Sequence, residues 1–560
     1  MPWFDDGFAL TTVSYPAKHR VSCHDGIPTA ACPRAVRHCQ PCPSRHLIAA
    51  LTLPYDNSNC RIDLGDAFPW CQAPALTTPM CSAIRVQRID DVRIRIPCQG
   101  KMRVPGLVFA SEAMMADIRK DASLDQVAHV AHLPGIVHHS LAMADIHWGY
   151  GFPIGGVAAF DEHDGVISPG GVGYDINCGV RLLRTRIPLQ DVQPHLPALS
   201  SELLRAVPSG VGSKSHRTLS DQELETVLVQ GAAWAVTSGF GRTADLDVTE
   251  ERGTMRGANP GTVSERAKER GLSQLGSLGS GNHFCEIGWV ADVFDEQAAN
   301  AFGLSQGCIT VLLHSGSRGL GYQICDDSLR TMLAASEKYQ IELPDRQLCS
   351  APLHSPEAIA YLHAMTCAVN YAFANRQMLT HFVRQSLVRF FAEPEPSLGL
   401  DLVYDGCHNV AKWERHNVDG KPRRLCVHRK GATRAFPAGH PDVPKAYQHV
   451  GHPVLVPGDM GRYSYVVVGT QQALHDTWGS ACHGAGRVLS RQAALKMSKK
   501  KKIFETLQAK GVWVRALSKR TVAEEIPEAY KDVADVVDVM TRAGLVRPVV
   551  KLEPLAVIKG

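Results

Sequence analysis

Six short stretches of the chain combine glycine with residues that commonly bind metal ions or phosphate. In chain order they are GGVGYDINC at 170–178, GSGNHFCE at 279–286, HSGSR at 314–318, DGCHN at 405–409, PGDMGRYS at 457–464 and CHGAGR at 482–487. Glycine lets a backbone approach a ligand closely, and successive amides in such turns can cradle a phosphate. Histidine, thiolate and carboxylate side chains beside them suit Mn²⁺, Fe²⁺ or Zn²⁺. A single histidine is more often a packed or surface residue, but six such stretches together predict a site that binds metal and phosphate.

Three common nucleotide-handling motifs are missing from the sequence. It contains no Gly-x4-Gly-Lys-[Ser/Thr] P-loop and no Gly-x-Gly-x-x-Gly dinucleotide fingerprint. It also lacks the Lys-x-Asp-Gly motif that carries the lysine nucleophile of the commonest nucleic-acid ligases. A nucleotide would therefore have to be bound and activated by other residues.

Strands and helices alternate from about Lys101 and must position these stretches. Short apolar runs at 308–313 and 463–470 are typical of strands. The clearest helix begins at Ser355 as its N-cap, with Pro356 at the first helical position. Apolar residues then recur at helical spacing and predict a side of the helix that faces the core rather than a cofactor. They are Ile359, Leu362, Val369, Phe373, Phe382, Val383, Leu387 and Phe390.

A second helix is expected after Pro527. Its apolar face would consist of Tyr530, Val533, Val537 and Met540. Helices and strands mixed along one chain favour an α+β fold. We therefore expect a single large catalytic domain of mixed sheets surrounded by helices.

Composition limits the partners and the location of the protein. The 560 residues are 44% hydrophobic and 20% charged, close to the average for globular proteins, so a sizeable core can form. The net charge of +4 allows a nucleic-acid or phosphate partner without requiring one. Apolar stretches such as 47–53 are far shorter than the ~20 residues that span a bilayer, and the N-terminus lacks the pattern of a secretory signal. We therefore expect a cytoplasmic protein without a membrane partner.

The first 98 residues differ from the rest of the chain. They contain eleven of the 34 prolines and eight of the 17 cysteines, without a convincing helical period. Cys39 and Cys42, with His38 and His46 nearby, could form half of a zinc site, although no second pair has the spacing of a zinc finger. The alternative is a loop-rich, poorly ordered extension with incidental thiols. We assign residues 1–98 to this extension and residues 99–560 to the catalytic domain.

From about Lys101 to Gly560 the sequence resembles the RtcB-type RNA-splicing ligases. The resemblance includes all six stretches in order. It also includes DIHWGYGFPIGG at 145–156, NYAFANRQ at 370–377, HRKGATR at 428–434 and VIKG at 557–560. Motifs this long and this numerous do not arise by chance.

The resemblance implies that the protein uses two Mn²⁺ ions. Asp175, Cys178 and His283 would hold one ion. Cys178, His314 and His408 would hold the other, so that the Cys178 thiolate bridges the pair. A bridging thiolate offsets the charge between two close cations, and neutral imidazoles suit Mn²⁺.

The resemblance also implies a histidine nucleophile and GTP as co-substrate. His483 would attack the α-phosphorus of GTP and form a histidine–GMP phosphoramidate. The implied nucleotide pocket consists of Asn282, His283, Phe284, Cys285, Glu286, His408, Asn409, Pro457, Gly458, Asp459, Met460, Ser464, His483, Gly484, Ala485, Gly486 and Lys559.

The implied reaction joins RNA ends. A 2′,3′-cyclic phosphate is hydrolysed to a 3′-phosphate, GMP is transferred to that phosphate, and a 5′-hydroxyl end displaces GMP to seal the strand. Such a substrate needs a basic surface, for which the candidates are Arg318, Arg376, Arg429, Lys430, Arg434 and Arg487. The four lysines at 499–502 are either a solvated helix face or an RNA contact. The family expectation is a monomer, with or without an activating protein partner.

One loop departs from the family's usual sequence. Where the family commonly reads PGSMGTAS, residues 457–464 read PGDMGRYS, so that Asp459, Arg462 and Tyr463 replace smaller residues. Asp459 brings a negative charge near the implied phosphate site, and Arg462 could offset it or contact the substrate. The loop resembles that of a diverged branch of the family, so substrate choice and ligation efficiency are the properties most open to change.

Three functions are compatible with these residues. The leading hypothesis is a GTP- and Mn²⁺-dependent ligase that joins RNA 3′-phosphate ends to 5′-hydroxyl ends in tRNA splicing or RNA repair. A two-metal phosphoesterase acting on RNA ends would need the metal ligands but no nucleophilic His483. A catalytically idle RNA-binding protein would need neither. Covalent capture of GMP separates the first function from the other two.

Overall fold

Residues 84–560, which the computed structural model describes, are built on two large β-sheets. The strands of the first sheet are β1 (Gln87–Arg88), β2 (Arg93–Ile96), β3 (Gly106–Phe109), β4 (Ser140–His147), β5 (Ile154–Asp161), β12 (Asn409–Val418) and β13 (Lys421–Lys430). The strands of the second are β7 (Gly179–Pro188), β8 (Phe284–Val293), β9 (Cys308–Ser315), β11 (Asp401–Cys407), β15 (Pro453–Val456), β16 (Ser464–Gly469), β18 (Trp513–Ala516) and β19 (Val546–Lys559). Two short ladders pair β6 (Val166–Ile167) with β10 (Ala351–Pro352) and β14 (Ala432–Arg434) with β17 (Ser480–Cys482).

Both large sheets are mainly antiparallel. The first has the strand order β1-β2-β3-β4-β5-β13-β12, and the second β11-β7-β9-β8-β19-β16-β15, with β18 beside β19. Parallel pairing joins β3 to β4 and β18 to β19. The runs predicted as strands at 308–313 and 463–470 are confirmed as β9 and β16, each to within two residues at its ends.

Helices and sheets are mixed along the chain, which confirms the α+β fold. The helices are α1 (Glu112–Ile118), α2 (Ser123–Val130), α3 (Leu189–Val192), α4 (Leu196–Ala206), α5 (Asp221–Gln230), α6 (Ala232–Thr237), α7 (Thr243–Asp247), α8 (Glu265–Leu272), α9 (Glu296–Phe302), α10 (Arg318–Lys338), α11 (Pro356–Phe391), α12 (Glu395–Leu398), α13 (Gln471–Asp476), α14 (Arg491–Ser498), α15 (Ile503–Ala509), α16 (Lys519–Glu524) and α17 (Val533–Arg542). Within residues 84–560, no helix is both long enough and apolar enough to cross a membrane.

The longest helix, α11, starts where the sequence predicts and passes through the interior. The Ser355 side chain accepts a hydrogen bond from the backbone amide of Ala358. Several of the predicted core residues are buried, namely Val369, Phe373, Val383 and Leu387. Ile359 is not, since its side chain is 44% exposed. The core surrounds the helix on every side over residues 364–380 but not at its first turn, so a single apolar stripe does not describe its burial.

The second predicted helix begins later than expected. Its first residue is Val533, and Asp532 caps it by accepting a hydrogen bond from the backbone amide of Ala534. Val537 and Met540 are buried as predicted, but Tyr530 lies in the preceding turn. The turn carries Tyr530 to the wall of the cavity described below instead of onto the helix face.

Strands β1 and β2 belong to the first sheet, although they lie within residues 1–98, which the sequence predicts to be an N-terminal extension. Strand β2 pairs with β3, and β1 pairs with β2. Val92, Ile94 and Ile96 are buried in the core cluster that also contains residues of β3 and β4. The sheet therefore begins before residue 99. The half zinc site predicted at Cys39 and Cys42 lies outside the described residues.

Four strands of the second sheet carry the candidate metal ligands to one edge. Cys178 directly precedes β7, His283 directly precedes β8, His314 is the penultimate residue of β9, and His408 directly follows β11. The antiparallel register aligns these ends through the pairs Gly179–Ser315, Gly179–Cys407 and Phe284–His314. Side chains that are up to 230 residues apart in sequence therefore meet at one place.

Candidate active site

Five side chains converge at this sheet edge in two groups that share Cys178, one with Asp175 and His283 and the other with His314 and His408. The Sγ atom of Cys178 lies 3.3 Å from Nε2 of His283 and 3.2 Å from Nε2 of His314. Nε2 of His283 is 2.8 Å from Oδ2 of Asp175. Nε2 of His314 is 3.3 Å from Nε2 of His408. The structure thus brings together the same two groups that the family resemblance implies.

The chemistry of these donors fits two divalent cations. Burial lowers the pKa of both His314 and His408 well below the ordinary value, so both imidazoles are neutral and have a lone pair to donate. Burial alone would raise the pKa of Asp175, but the adjacent His283 holds it at about 2, so the carboxylate is ionised. Burial and the Asp175 charge raise the pKa of the Cys178 thiol well above its ordinary value. A thiolate at this position therefore needs cations beside it.

Buried hydrogen bonds fix the ligands from behind. Nη1 of Arg376, on α11, donates to the carbonyl oxygens of Asn177 at 2.8 Å and Ser315 at 3.1 Å. Each of these carbonyls belongs to a residue next to a candidate metal ligand. Nδ1 of His283 lies 2.9 Å from the carbonyl oxygen of Leu278, which places the ring proton on Nδ1 and leaves Nε2 free for a metal.

Three arginines predicted to contact RNA are instead buried in ion pairs. Nε of Arg376 lies 2.7 Å from Oδ1 of Asp405. Nη1 of Arg429 and Nε of Arg434 lie 2.7 Å and 2.8 Å from Oε1 of Glu414. Each guanidinium is enclosed by protein and neutralised by a carboxylate, so the expectation that these three bind RNA phosphates was wrong.

His483 follows β17 and is held by Asp145 of β4. Oδ2 of Asp145 lies 2.6 Å from Nδ1 of His483 and accepts a hydrogen bond from its backbone amide at 3.0 Å. This contact places the ring proton on Nδ1 and leaves Nε2 with a free lone pair. The ring centroids of His483 and His408 are 4.6 Å apart. His483 therefore presents a nucleophilic nitrogen beside the second group of candidate ligands.

Asp145 belongs to a motif shared with the family, but no role for it was predicted from the sequence. A usable signal was present, because Asp145 is the one charged residue among the first seven of β4, all of which are buried. A buried carboxylate in such a strand requires a partner. The sequence could not identify His483 as that partner, since the two residues are 338 positions apart.

Replacing Asp145 with asparagine should slow the reaction of His483 without removing metal. The other carboxylate oxygen, Oδ1, has no hydrogen-bond partner among the described residues, so an amide NH₂ can occupy its place while oxygen still faces His483. The variant keeps the ring orientation but loses the negative charge that stabilises a cationic imidazole. We expect nucleotide transfer to His483 to fall roughly 100-fold or more, with unchanged metal content by elemental analysis. An unchanged transfer rate would exclude this role for Asp145.

A cavity of about 420 Å³ lies beside His483 and the candidate ligands. It is lined by most of the predicted nucleotide-binding residues, namely Asn282, Phe284, Glu286, His408, Asn409, Pro457, Gly458, Asp459, Met460, His483, Gly484, Ala485, Gly486 and Lys559. Two of the predicted RNA contacts, Lys430 and Arg487, also line it. The walls include residues that the sequence analysis did not assign, among them His147, Tyr150, Tyr174, Arg491, Glu525 and Tyr530. A cavity of this size with a few convergent polar groups suits a nucleotide.

Three of the predicted nucleotide-binding residues are not among those that line the cavity. His283 belongs to the first group of candidate ligands. Cys285 is buried in a core cluster, because alternate side chains of β8 point to opposite faces of the sheet. The hydroxyl oxygen of Ser464 accepts a hydrogen bond from the backbone amide of Gly458 at 3.1 Å and so shapes the loop that closes one side of the cavity.

The divergent residues of this loop bind one another and the segment before α17. Oδ1 of Asp459 accepts a hydrogen bond from the amide of Gly461 at 2.9 Å, and its Oδ2 lies 3.4 Å from Nε of Arg462. Burial raises the pKa of Asp459 to about 6. Arg462 donates a further hydrogen bond to the carbonyl oxygen of Lys531 at 3.0 Å. Arg462 thus offsets the charge of Asp459, one of the two roles expected for it.

Glu286 should destabilise the metal-free protein at high pH. Burial raises its pKa to about 8, with a contribution from Asp459, while Lys559 opposes the rise. The unfolded chain therefore loses this proton at a lower pH than the folded protein, so stability falls as the pH rises from about 4.5 to about 8. Glu286→Gln cannot ionise, so its free energy of unfolding should exceed that of the wild type by on the order of 3–4 kcal/mol at pH 9 and by much less at pH 5.

Urea unfolding at pH 5, 7 and 9 measures this difference. Glu269→Gln, at an exposed position of α8, is the control and should show no pH-dependent gain. A gain for Glu286→Gln that is the same at all three pH values would contradict the raised pKa.

This chain is similar to known proteins over most of its length. The family model described as "tRNA-splicing ligase RtcB" matches residues 126–560. A tRNA-splicing ligase RtcB of Thermococcus kodakarensis is 51% identical over 482 residues, which cover 86% of this chain and all of that relative. A tRNA-splicing ligase RtcB of Archaeoglobus fulgidus is 51% identical over 85% of this chain and 99% of its own. An RNA-splicing ligase RtcB of Mycobacterium tuberculosis is 50% identical over 78% of this chain and all of its own.

Proposed function

Because the chain belongs to the RtcB family of tRNA-splicing ligases, it is an RNA ligase, and we propose that it uses GTP and two Mn²⁺ ions. Its substrates would be RNA 3′-phosphate or 2′,3′-cyclic phosphate ends and 5′-hydroxyl ends. The observation that carries this proposal is the position of His483, whose free Nε2 faces a nucleotide-sized cavity beside two groups of candidate ligands that share Cys178.

The first step is transfer of GMP to His483. Nε2 attacks the α-phosphorus of GTP, a nitrogen–phosphorus bond forms, and the bond to the β-phosphate oxygen breaks to release pyrophosphate. Asp145 stabilises the positive charge that develops on the imidazole. Two Mn²⁺ ions, held by the groups around Cys178, would supply positive charge that orients the phosphates and stabilises the transition state.

The cavity also offers groups that suit a guanine base. Glu286 and Lys559 line it, and β19 pairs with β8 so that Lys559 lies opposite Phe284. Glu286 keeps its proton up to about pH 8 in the empty cavity, and we propose that guanine binds its ionised form. A carboxylate accepts hydrogen bonds from the ring N–H and the amino group of guanine, which favours the ionised state, while a lysine can donate to the carbonyl oxygen of the base. Adenine presents the opposite pattern of donors and acceptors on that edge. This arrangement supports GTP over ATP as the co-substrate.

The later steps act on RNA. A cyclic phosphate end is opened by water to a 3′-phosphate, whose oxygen attacks the phosphorus of His483–GMP and frees the imidazole. The 5′-hydroxyl of the second strand then attacks the activated 3′-phosphate, forms the phosphodiester and expels GMP. Lys430 and Arg487 line the cavity and are the proposed contacts to these phosphates. Lys430 already donates to the carbonyl oxygens of Tyr150 and Gly170, and Arg487 is paired with Glu525, so each would share its charge with these partners.

A sealing assay tests the proposal. One RNA with a 2′,3′-cyclic phosphate and one with a 5′-hydroxyl are incubated with the protein, Mn²⁺ and either GTP or ATP. We expect a joined product with GTP only, and none after removal of Mn²⁺ by a chelator. Release of phosphate from the cyclic end without GTP, and without joining, would instead identify a two-metal phosphoesterase.

The extent of the catalytic domain is a further part of the proposal. The match of 482 residues to the Thermococcus relative is longer than the 462 residues that follow position 98. Together with the pairing of β2 and β3, this length supports a catalytic domain that includes β1 and β2. We also propose that the protein acts as a monomer in the cytoplasm and that an activating protein partner can assist it.

A further inference from the structure

Positive charge is concentrated in one segment of the chain, residues 487–520. This segment contains eleven lysines and arginines and a single acid, Glu505. Its charge of +10 exceeds the +4 of the whole chain, so the rest of the protein is net negative. A segment of this kind on an otherwise negatively charged protein is a candidate binding site for a polyanion.

Five of the eleven cations of this segment line a surface groove. The groove lies between α14, the start of α15 and α16 and has a volume of about 730 Å³. Its charged and aromatic lining residues are the cations Lys499, Lys501, Lys502, Lys519 and Arg520, the acid Glu505 and the aromatic residue Phe504. The Phe504 side chain is 37% exposed there, although aromatic rings are usually more deeply buried.

Only some of these cations are neutralised. Carboxylate partners are present in the pairs Lys501–Glu528, Lys502–Glu505 and Arg520–Glu524. Lys499 and Lys519 are exposed and have no acidic partner among residues 84–560. Two free ammonium groups thus face the groove and can bind phosphate.

Helix α14 connects the groove to the catalytic cavity. Arg491, its first residue, lines the cavity together with Arg487, and the Arg491 side chain is 59% exposed. Ser498, its last residue, lines the groove. An α-helix of eight residues is about 12 Å long, a distance that a few nucleotides of extended RNA can cover. Cations therefore lie along one path from His483 outward, with Arg487 and Arg491 sharing the carboxylate of Glu525 at 3.1 Å and 3.7 Å.

We propose that this groove binds the backbone of the RNA substrate a few nucleotides from the end held at His483. Lys499 and Lys519 contact phosphates, and Phe504 offers a face for stacking a base. An acidic protein surface is the less suitable occupant, because the cations continue into the cavity where RNA phosphates react. The inference rests on the proposed function and deepens it by assigning a substrate-binding surface outside the cavity.

The test compares two double variants. Lys499→Gln/Lys519→Gln removes the free cations of the groove. Arg415→Gln/Lys421→Gln is the matched control, with both positions exposed on the hairpin of β12 and β13. Lys430, at the other end of β13, lines the cavity, and nine residues of strand put Lys421 about 30 Å from it. Neither variant changes a buried contact, so both should fold.

Two quantities are measured for each protein. The first is the Kd for a single-stranded RNA with a 3′-phosphate, determined at several salt concentrations from 50 to 200 mM. The second is guanylylation of the protein by labelled GTP in the absence of RNA. For the groove variant we expect a Kd about tenfold higher at 50 mM salt and a salt slope smaller by about 1.4, since each phosphate contact to a single strand contributes about 0.7. A dinucleotide that ends within the cavity should bind the groove variant and the wild type equally. The control variant should match the wild type in every measurement.

The guanylylation measurement distinguishes failure of the proposed function from failure of the proposed RNA-binding groove. Guanylylation should be the same in all three proteins, because GTP does not reach the groove, and its absence from the wild type would refute the proposed function but not the RNA-binding groove. An unchanged Kd and salt slope in the groove variant would overturn the inference, as would an equal loss in the control variant.

Discussion

A His483→Ala variant incubated with Mn²⁺ and GTP labelled at the α-phosphate should carry no covalent label after denaturing separation. The wild type should carry label that is lost in acid and kept in alkali, as a phosphoramidate requires. Asp145 holds the proton of His483 on Nδ1, so that Nε2 is the proposed nucleophile. His314 and His408 direct their Nε2 atoms at the group around Cys178 and cannot replace it. We therefore expect loss of labelling to background.

His147 provides the matched control for this experiment. It also lines the cavity, and burial lowers its pKa to about 3, so it is a neutral imidazole close to His483. Its Nδ1 lies 2.9 Å from the carbonyl oxygen of Asp145 instead of the carboxylate. His147→Ala should keep covalent labelling, and His483→Ala should keep its bound metal. Label on the His483 variant, or its loss from the His147 variant alone, would assign the nucleophile to a different residue.

A Cys178→Ala variant should lose the pair of metal ions and, with it, every step of the reaction. Cys178 is the one residue shared by the two groups of candidate ligands, so its removal takes a donor from both. His283 and Asp175 would remain on one side and His314 and His408 on the other, too few donors for either ion. Elemental analysis after equilibration with Mn²⁺ should find about two ions per wild-type chain and fewer than one per variant chain. Guanylylation and sealing should fall below detection.

Cys285→Ala is the control for the loss of a buried thiol. Cys285 is fully buried in a core cluster behind β8 and does not belong to either group of candidate ligands. This variant should keep both metal ions and its guanylylation. Two ions bound to Cys178→Ala would show that the thiolate does not bridge them, even if activity were lost.

Local chemistry made much of the fold predictable. The start of α11 follows from Ser355 and Pro356, since an N-cap and a first-turn proline act within a few residues of each other. Burial along α11 was less predictable, because Ile359 fits the helical period but faces solvent. Tyr530 was misplaced for a related reason, since periodicity cannot show that a turn separates it from Val533.

The cations near the site show most clearly what could not be predicted from the sequence. A sequence records the charges of Arg376, Arg429 and Arg434 but not the carboxylates that neutralise them, which come from distant elements. From the sequence alone, all three therefore resemble phosphate contacts, whereas in the folded chain they are buried. For the lysines at 499–502, in contrast, the tertiary structure adds a candidate phosphate contact. Residues of α14, of α16 and of the start of α15 together form the groove that some of these lysines line.

The sequence by itself determined which residues can do the chemistry. Glycine-flanked histidines, Cys178 and Asp175 have donor atoms that can bind metal, and the motif around His483 contains the proposed nucleophile, whatever the fold. The tertiary structure decided which of them act together. The register of β7, β8, β9 and β11 brings the ligands to one edge, and β4 brings Asp145 to His483 across 338 positions. These pairings depend on long-range strand register and burial, and neither property is encoded in the spacing of neighbouring residues.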